Sequence, residues 1–421
     1  MRGNKLLDTQ NEADLNYKLS FVVDKFLIVY IYASTTAIFP LYIGLGIRYF
    51  SYALFLLAIL ATFISSSRYY LSLIKPVVFV SIYIIINLLV FFLYRTDVLS
   101  FIFNIKYLFF ILFIFLIPAL GKSYSLNRYI KHFFLGILVQ ALTTVFLVLL
   151  YKTIGYQRLS VFSNYLDLSV MQSSGFNDQS VRVVSRLNPL LIPCFFYFIA
   201  VHKKNWFSIL ALVTVTLALY YTKSLGLYLA LLVGFGIFVI TYFRLKKNFI
   251  LLYILTMFVS LNVLIIYMTH FFGSYAGKSF SALVKSEQVL SIGKLSLFNL
   301  LFGYGHGYVF YDKVRGLFDV VIEVLPVYWI FVSGILGLIV LLYLFLYPLS
   351  GYNKYIFINP EGRKFYRFLI ASQVAVFFTG LSNAYLLSGS TAFFLVFFYC
   401  YFVYEMENDI KKSEEYTCLI K

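Results

Sequence analysis

Four segments of this chain carry residue types that could hold an anion or move a proton. The first reads Val181-Arg182-Val183-Val184-Ser185-Arg186-Leu187-Asn188-Pro189. Arg182 and Arg186 stand four apart, and in a helix that spacing puts both guanidiniums on one face. Arginine suits a diphosphate because its planar fork matches phosphate oxygens and it stays charged when desolvated. The second segment, Tyr221-Thr222-Lys223-Ser224-Leu225-Gly226, sets Lys223 in a short turn. There it either joins an anion site or extends its ammonium to an interface. The third, Leu301-Phe302-Gly303-Tyr304-Gly305-His306-Gly307-Tyr308, alternates glycines around His306. Gly303, Gly305 and Gly307 free the backbone to turn tightly and approach a ligand, and His306 is a base or a donor. The run lacks Gly-Lys-Ser/Thr, so it is not a nucleotide phosphate loop. The fourth segment holds Asp319, Glu323 and Pro326. Glu323 either favours the positive end of the helix that follows or serves as a general base raised by partial burial.

Each residue has a plainer reading. The arginines could anchor a helix end to lipid headgroups, and His306 could be an ordinary loop residue. Gly334-x-x-Gly337 allows close helix packing, which is a structural role. Lys106 and the Asp24-Lys25 pair lie at or within apolar segments, where charge is costly unless it faces a polar interior.

The elements that must position these residues follow from composition. The chain has 421 residues, 62% hydrophobic and 12% charged, with mean hydropathy +0.88. That balance excludes a soluble domain. Apolar runs of about 20 residues, enough to cross a ~30 Å hydrocarbon core, recur throughout. The reading is an all-α polytopic membrane protein, a single integral membrane domain over residues 1–421. Twelve spans are predicted, roughly 22–41, 47–65, 76–94, 99–119, 132–151, 188–201, 206–222, 225–243, 249–272, 326–349, 366–384 and 388–405. No cleavable leader is expected, because the first 20 or so residues are polar and no small-residue cleavage site follows a short apolar stretch.

Short loops after alternate spans concentrate the cations: Arg68 and Lys75, then Lys122, Arg128 and Lys131, then Lys203 and Lys204, then Arg244, Lys246 and Lys247, then Lys354, Arg363, Lys364 and Arg367. The opposite short loops hold only Arg48, Arg95 and Lys223. The positive-inside rule then places both termini in the cytoplasm. Two long loops, about 152–188 and 273–325, fall outside, and loops longer than connection requires usually carry function. The net charge of +17 is therefore topological and not a nucleic-acid signal. Cys194, Cys400 and Cys418 are too few and too scattered for a disulfide framework or a metal site. The segments around the two long loops do not repeat, which weighs against a transporter built of duplicated halves.

These motifs, in this order and on this side, resemble the O-antigen and capsular polysaccharide polymerases (Wzy-type), which share a superfamily with the O-antigen ligases. Members carry two enlarged outer loops. An Arg precedes an Asn-Pro that opens the next helix, as Arg182 and Asn188-Pro189 do. A Thr/Ser turn with a basic residue is matched by Thr222-Lys223-Ser224, although Arg is common there. A Phe-Gly-x-Gly run is matched by Phe302-Gly303-Tyr304-Gly305. A polar residue then stands eleven before a Gly-x-x-Gly helix; ligases have His, and this chain has Glu323 before Gly334. The Asn that often follows the Pro is Leu190 here. The likeness covers roughly residues 150–345.

The resemblance implies a GT-C-like fold in the bacterial cytoplasmic membrane. It implies an inverting glycosyltransferase joining undecaprenyl-diphosphate-linked oligosaccharide repeat units on the outer face, with no cofactor and no metal. Arg182, Arg186 and Lys223 would then hold the diphosphate. Glu323 would be the base, with His306 second. Partners would be the lipid-linked oligosaccharide, membrane lipid, a chain-length regulator and a flippase, with no nucleic acid. The alternatives are an O-antigen ligase acting on lipid A core, a lipid-linked oligosaccharide flippase, and a structural subunit of an assembly complex.

Overall fold

A computed structural model describes residues 74–94, 126–164, 169–172, 181–201, 205–243, 275–319, 322, 324–358 and 363–382, with scattered positions between 21 and 36 and at 98 and 101. These residues are mostly helical. The helices are α1 (Ile74–Tyr94), α2 (Leu126–Asn164), α3 (Leu191–Ala200), α4 (Trp206–Thr222), α5 (Leu225–Phe243), α6 (Tyr275–Ser291), α7 (Leu297–Phe302), α8 (Leu325–Ile358) and α9 (Arg363–Ser382). Two antiparallel hairpins interrupt them: β1 (Ser169–Gln172) with β2 (Val181–Val184), and β3 (Phe310–Asp312) with β4 (Leu317–Asp319). The all-α expectation is thus corrected at two places, each inside one of the long loops. Predicted spans 47–65, 99–119, 249–272 and 388–405 lie wholly or mainly outside the described residues, as do Asp24, Lys106, Cys400 and Cys418.

Helix ends follow local chemistry. The α4 helix opens on Asn205, whose side-chain oxygen accepts from the Ser208 amide at 2.9 Å. It closes at Lys223, which takes a left-handed conformation with φ 47°. α7 opens on Ser296 accepting from the Asn299 amide and closes at Gly303.

The core is aromatic where α2, α3 and α9 meet. Phe134 stacks on Tyr197 with ring centroids 4.4 Å apart and meets Phe368 edge-on at 5.5 Å, and Phe133, Phe134, Phe196 and Phe368 are all fully buried. α9 also packs along α5, and α4 lies against α2 and α3. Opposite faces stay apolar yet exposed, with Ile85, Leu89, Phe92 and Leu93 on α1 and Ile209, Leu210 and Val213 on α4. Among the described residues one helical stretch, Arg128–Val161, is long and apolar enough to cross a membrane.

Two helices break at glycine. α2 bends at Gly155 (φ 76°), and Leu159 beyond the bend shares a buried cluster with Leu147 and Val148. The helix therefore runs past the expected end of the span and returns toward itself. α8 breaks at Gly334 (φ 66°), inside a stretch expected to be continuous.

Candidate functional site

The structure gathers the candidate residues into two places. The first is a cationic corner. β2 is a strand, with Val183 fully buried against Val170, Leu147 and Leu159. Side chains alternate along a strand, so Arg182 faces away from that cluster. Its Nε donates to the Thr222 carbonyl at 3.0 Å, and Arg182 is half-buried. A helix carries partial negative charge on its last carbonyls, so this is a favourable place for a cation. Lys223 follows Thr222 directly. Residues from the first long loop and from the short turn are thereby brought together. Partial burial lowers the Lys223 pKa from its ordinary value.

Arg182 and Arg186 do not share a helical face. The segment is a strand followed by a turn, so the four-residue spacing loses its helical meaning, and Arg186 is exposed. Val181, Val183 and Val184 were the signal for a strand, since β-branched residues favour one. The turn itself is built by Asn188. Its side-chain nitrogen donates to the Val183 carbonyl at 3.2 Å, its amide bonds the Ser185 carbonyl, and Ser185 Oγ accepts from the Leu187 amide. Pro189 then opens a single 3-10 turn that leads into α3.

The second place is the glycine run. It lies against α8 at the break. The Tyr304 amide donates to the Phe331 carbonyl at 2.7 Å, and the Gly305 amide to the Val332 carbonyl at 2.9 Å. Loop amides thus take over carbonyls next to the interrupted helical ladder. Backbone meets backbone here. A Cβ on Gly303 would overlap Val332 and the Ser333 amide, and one on Gly334 would overlap the Leu301 carbonyl. Gly303 therefore serves close contact with α8, and Gly305 approaches Val90 and Phe91 of α1.

His306 sits in this contact, 2% exposed. Its Nε2 is 3.0 Å from the Tyr83 hydroxyl; Tyr83 bonds Ser333 Oγ, and Ser333 Oγ donates to Asn87 Oδ1 at 3.4 Å. Each hydroxyl donates once when the order runs from His306 Nε2–H through Tyr83 and Ser333 to Asn87. Trp329 meets the imidazole edge-on at 5.8 Å. Burial pushes the His306 pKa down to about 3, so the ring is neutral across the physiological range. A base that weak and that enclosed abstracts a sugar proton poorly. The geometry gives His306 a positioning role that joins the loop to α1 and α8. Tyr83, Asn87 and Ser333 escaped the sequence reading, although Asn87 amid apolar residues was a usable sign. Glu323 lies outside the described residues.

No family model matches this chain, and no curated protein does. Among the described residues no group of three His, Cys, Asp or Glu could hold a metal ion.

Proposed function

We propose that the chain is a membrane glycosyltransferase that polymerises undecaprenyl-diphosphate-linked oligosaccharide repeat units outside the cytoplasmic membrane. The observation that carries this reading is the hydrogen bond from Arg182 to the Thr222 carbonyl, which brings the first long loop to the end of α4 where Lys223 is the next residue. The exposed apolar faces of α1 and α4 support a lipid setting, because soluble monomers rarely expose such continuous patches. In this reading twelve spans cross the bilayer in a GT-C-like arrangement with both termini cytoplasmic.

Chemically, the acceptor sugar's hydroxyl oxygen attacks the anomeric carbon of the donor. The bond from that carbon to the diphosphate breaks, with inversion, and the hydroxyl proton passes to Glu323. The departing diphosphate gains negative charge, and Arg182 and Lys223 stabilise it; Arg186, exposed in the turn after β2, is the third candidate. A guanidinium carries five donors, of which Thr222 takes the one on Nε. The diphosphate bond already activates the sugar, so no nucleotide is required.

The test uses cells of the source strain with the gene replaced by a variant. Arg182→Ala should lower polymerisation by about 10²-fold, the usual cost of losing one transition-state donor, and leave single repeat units on the carrier. Glu323→Gln should do the same. Normal polymer length from Arg182→Ala at normal expression would sink the proposal. Long polymer retained on the carrier, but absent from its final acceptor, would identify a ligase instead.

A further inference from the structure

The second long loop shapes a half-open cavity of about 220 Å³. Its walls come from the end of α6, the glycine run and the β3–β4 hairpin, with Phe331 of α8 contributing. Tyr304 and Tyr308 form a near-parallel pair, centroids 4.3 Å apart and planes 14° apart. Tyr94 meets Tyr304 edge-on at 5.4 Å, and its hydroxyl donates to Asn299 Oδ1. Tyr304 is held from below as well, through its amide on the Phe331 carbonyl. These rings are set before any ligand arrives, which reduces the ordering cost of binding.

The cavity's charge differs from that of the Arg182 corner. Glu287 Oε1 lies 3.4 Å from Lys294 Nζ. Asp312 Oδ1 accepts from the Val314 and Arg315 amides, and Arg315 Nε lies 3.8 Å from Asp312 Oδ2. The lining sets Glu287 and Asp312 against Lys294 and Lys313, so its formal charges balance and the pocket presents no net positive charge to a diphosphate. What remains are aromatic faces beside carboxylates, the Gln288 amide, the Ser291 hydroxyl and phenols. Ionised carboxylates keep lone pairs for several donors, and tyrosines offer an apolar face with a polar tip. Sugar rings have that mixed character: a C–H face that lies on an aromatic ring, and a rim of hydroxyls.

We infer that this cavity is a saccharide subsite, which seats a sugar ring of the oligosaccharide against Tyr308 and its hydroxyls against Glu287 and Gln288. The assignment rests on the reading above that the chain acts on lipid-linked oligosaccharides. It divides the substrate in two: diphosphate at the cationic corner, glycan under the second loop.

The experiment measures calorimetric binding to the purified full-length protein in micelles. The probe is the repeat-unit oligosaccharide released from the source strain's own surface polysaccharide, and inorganic pyrophosphate is titrated separately. Wild type should bind the oligosaccharide. Tyr308→Ala should weaken it about tenfold, the upper worth of one aromatic contact. Tyr308→Phe should stay within about threefold, and Glu287→Gln should fall between them. Unfolding midpoints of all variants are taken alongside, and Glu287→Gln, at a partly exposed side chain, keeps the test alive if Tyr308→Ala unfolds. Equal affinity of wild type, Glu287→Gln and Tyr308→Ala, or pyrophosphate displacing the oligosaccharide from wild type, would overturn the inference. Polymer length in cells lacking the gene separates the two ideas. Unchanged polymer there removes the polymerase reading, while ring-dependent oligosaccharide binding would still stand.

Discussion

Replacing Gly334 by alanine tests whether the second loop is bonded into α8 or merely lies near it. At φ 66° an L-residue pays roughly 1–2 kcal/mol for its Cβ. The added methyl would also overlap the Leu301 carbonyl at the end of α7, so α7 and the glycine run must retreat. That retreat breaks the Tyr304–Phe331 and Gly305–Val332 hydrogen bonds, worth about 0.5–1.5 kcal/mol each. Together the loss is about 2–5 kcal/mol. Gly316 provides the control, since it has φ 67° but nothing within 4 Å of an added Cβ. Gly316→Ala should therefore cost only the conformational share, about 1–2 kcal/mol. The assay is a mixed-micelle unfolding titration of both purified variants, followed by tryptophan fluorescence. Gly334→Ala should be the less stable by about 1–3 kcal/mol and should open the 303–308 segment to protease. Equal losses in the two variants would show that the backbone contact contributes no stability, and the argument for the docked loop would fail.

Two further predictions concern single side chains. Burial depresses the His306 pKa to about 3 from an ordinary value of 6.5, so the unfolded chain binds more protons between those values. The stability from keeping the ring neutral is present above pH 6.5 and is lost as pH falls toward 3, by up to about 1.4 kcal/mol per pH unit; His306→Gln should flatten this slope in unfolding titrations, and an unchanged slope would refute the assignment. At Lys223, glycine relieves roughly 1–2 kcal/mol of left-handed strain but costs roughly 0.5–1 kcal/mol in entropy, so Lys223→Gly should leave stability equal or raise it by about 1 kcal/mol. The same variant should shorten the polymer, and full-length polymer from it would remove Lys223 from the diphosphate site.

Much of the helical frame was legible from local signals. The predicted spans 206–222 and 225–243 coincide with α4 and α5, because Asn205 caps one end and Lys223-Ser224 breaks the chain at the other. The break at Gly334 was not legible. Its hydrogen-bond deficit is met by Tyr304 and Gly305, about 30 residues earlier in the chain, and no local pattern reports a distant donor. Arg182 and Lys223 both stand out in the sequence, but the contact of Arg182 with the neighbouring Thr222 carbonyl depends on a strand that the four-residue spacing disguises. The network of Tyr83, Asn87, Ser333 and His306 joins three segments, each of which looks apolar or loop-like when read alone.

The bond between the Tyr304 amide and the Phe331 carbonyl makes the loop and the helix one mechanical part. A ligand that displaces the Tyr304 backbone, beyond turning its ring, also pulls on the Phe331 carbonyl of α8 immediately ahead of the glycine joint. Occupancy of the outer cavity would therefore register as a change in the angle between the two halves of α8. If the cavity is the saccharide subsite proposed above, the joint would turn an occupied cavity into movement of a long helix.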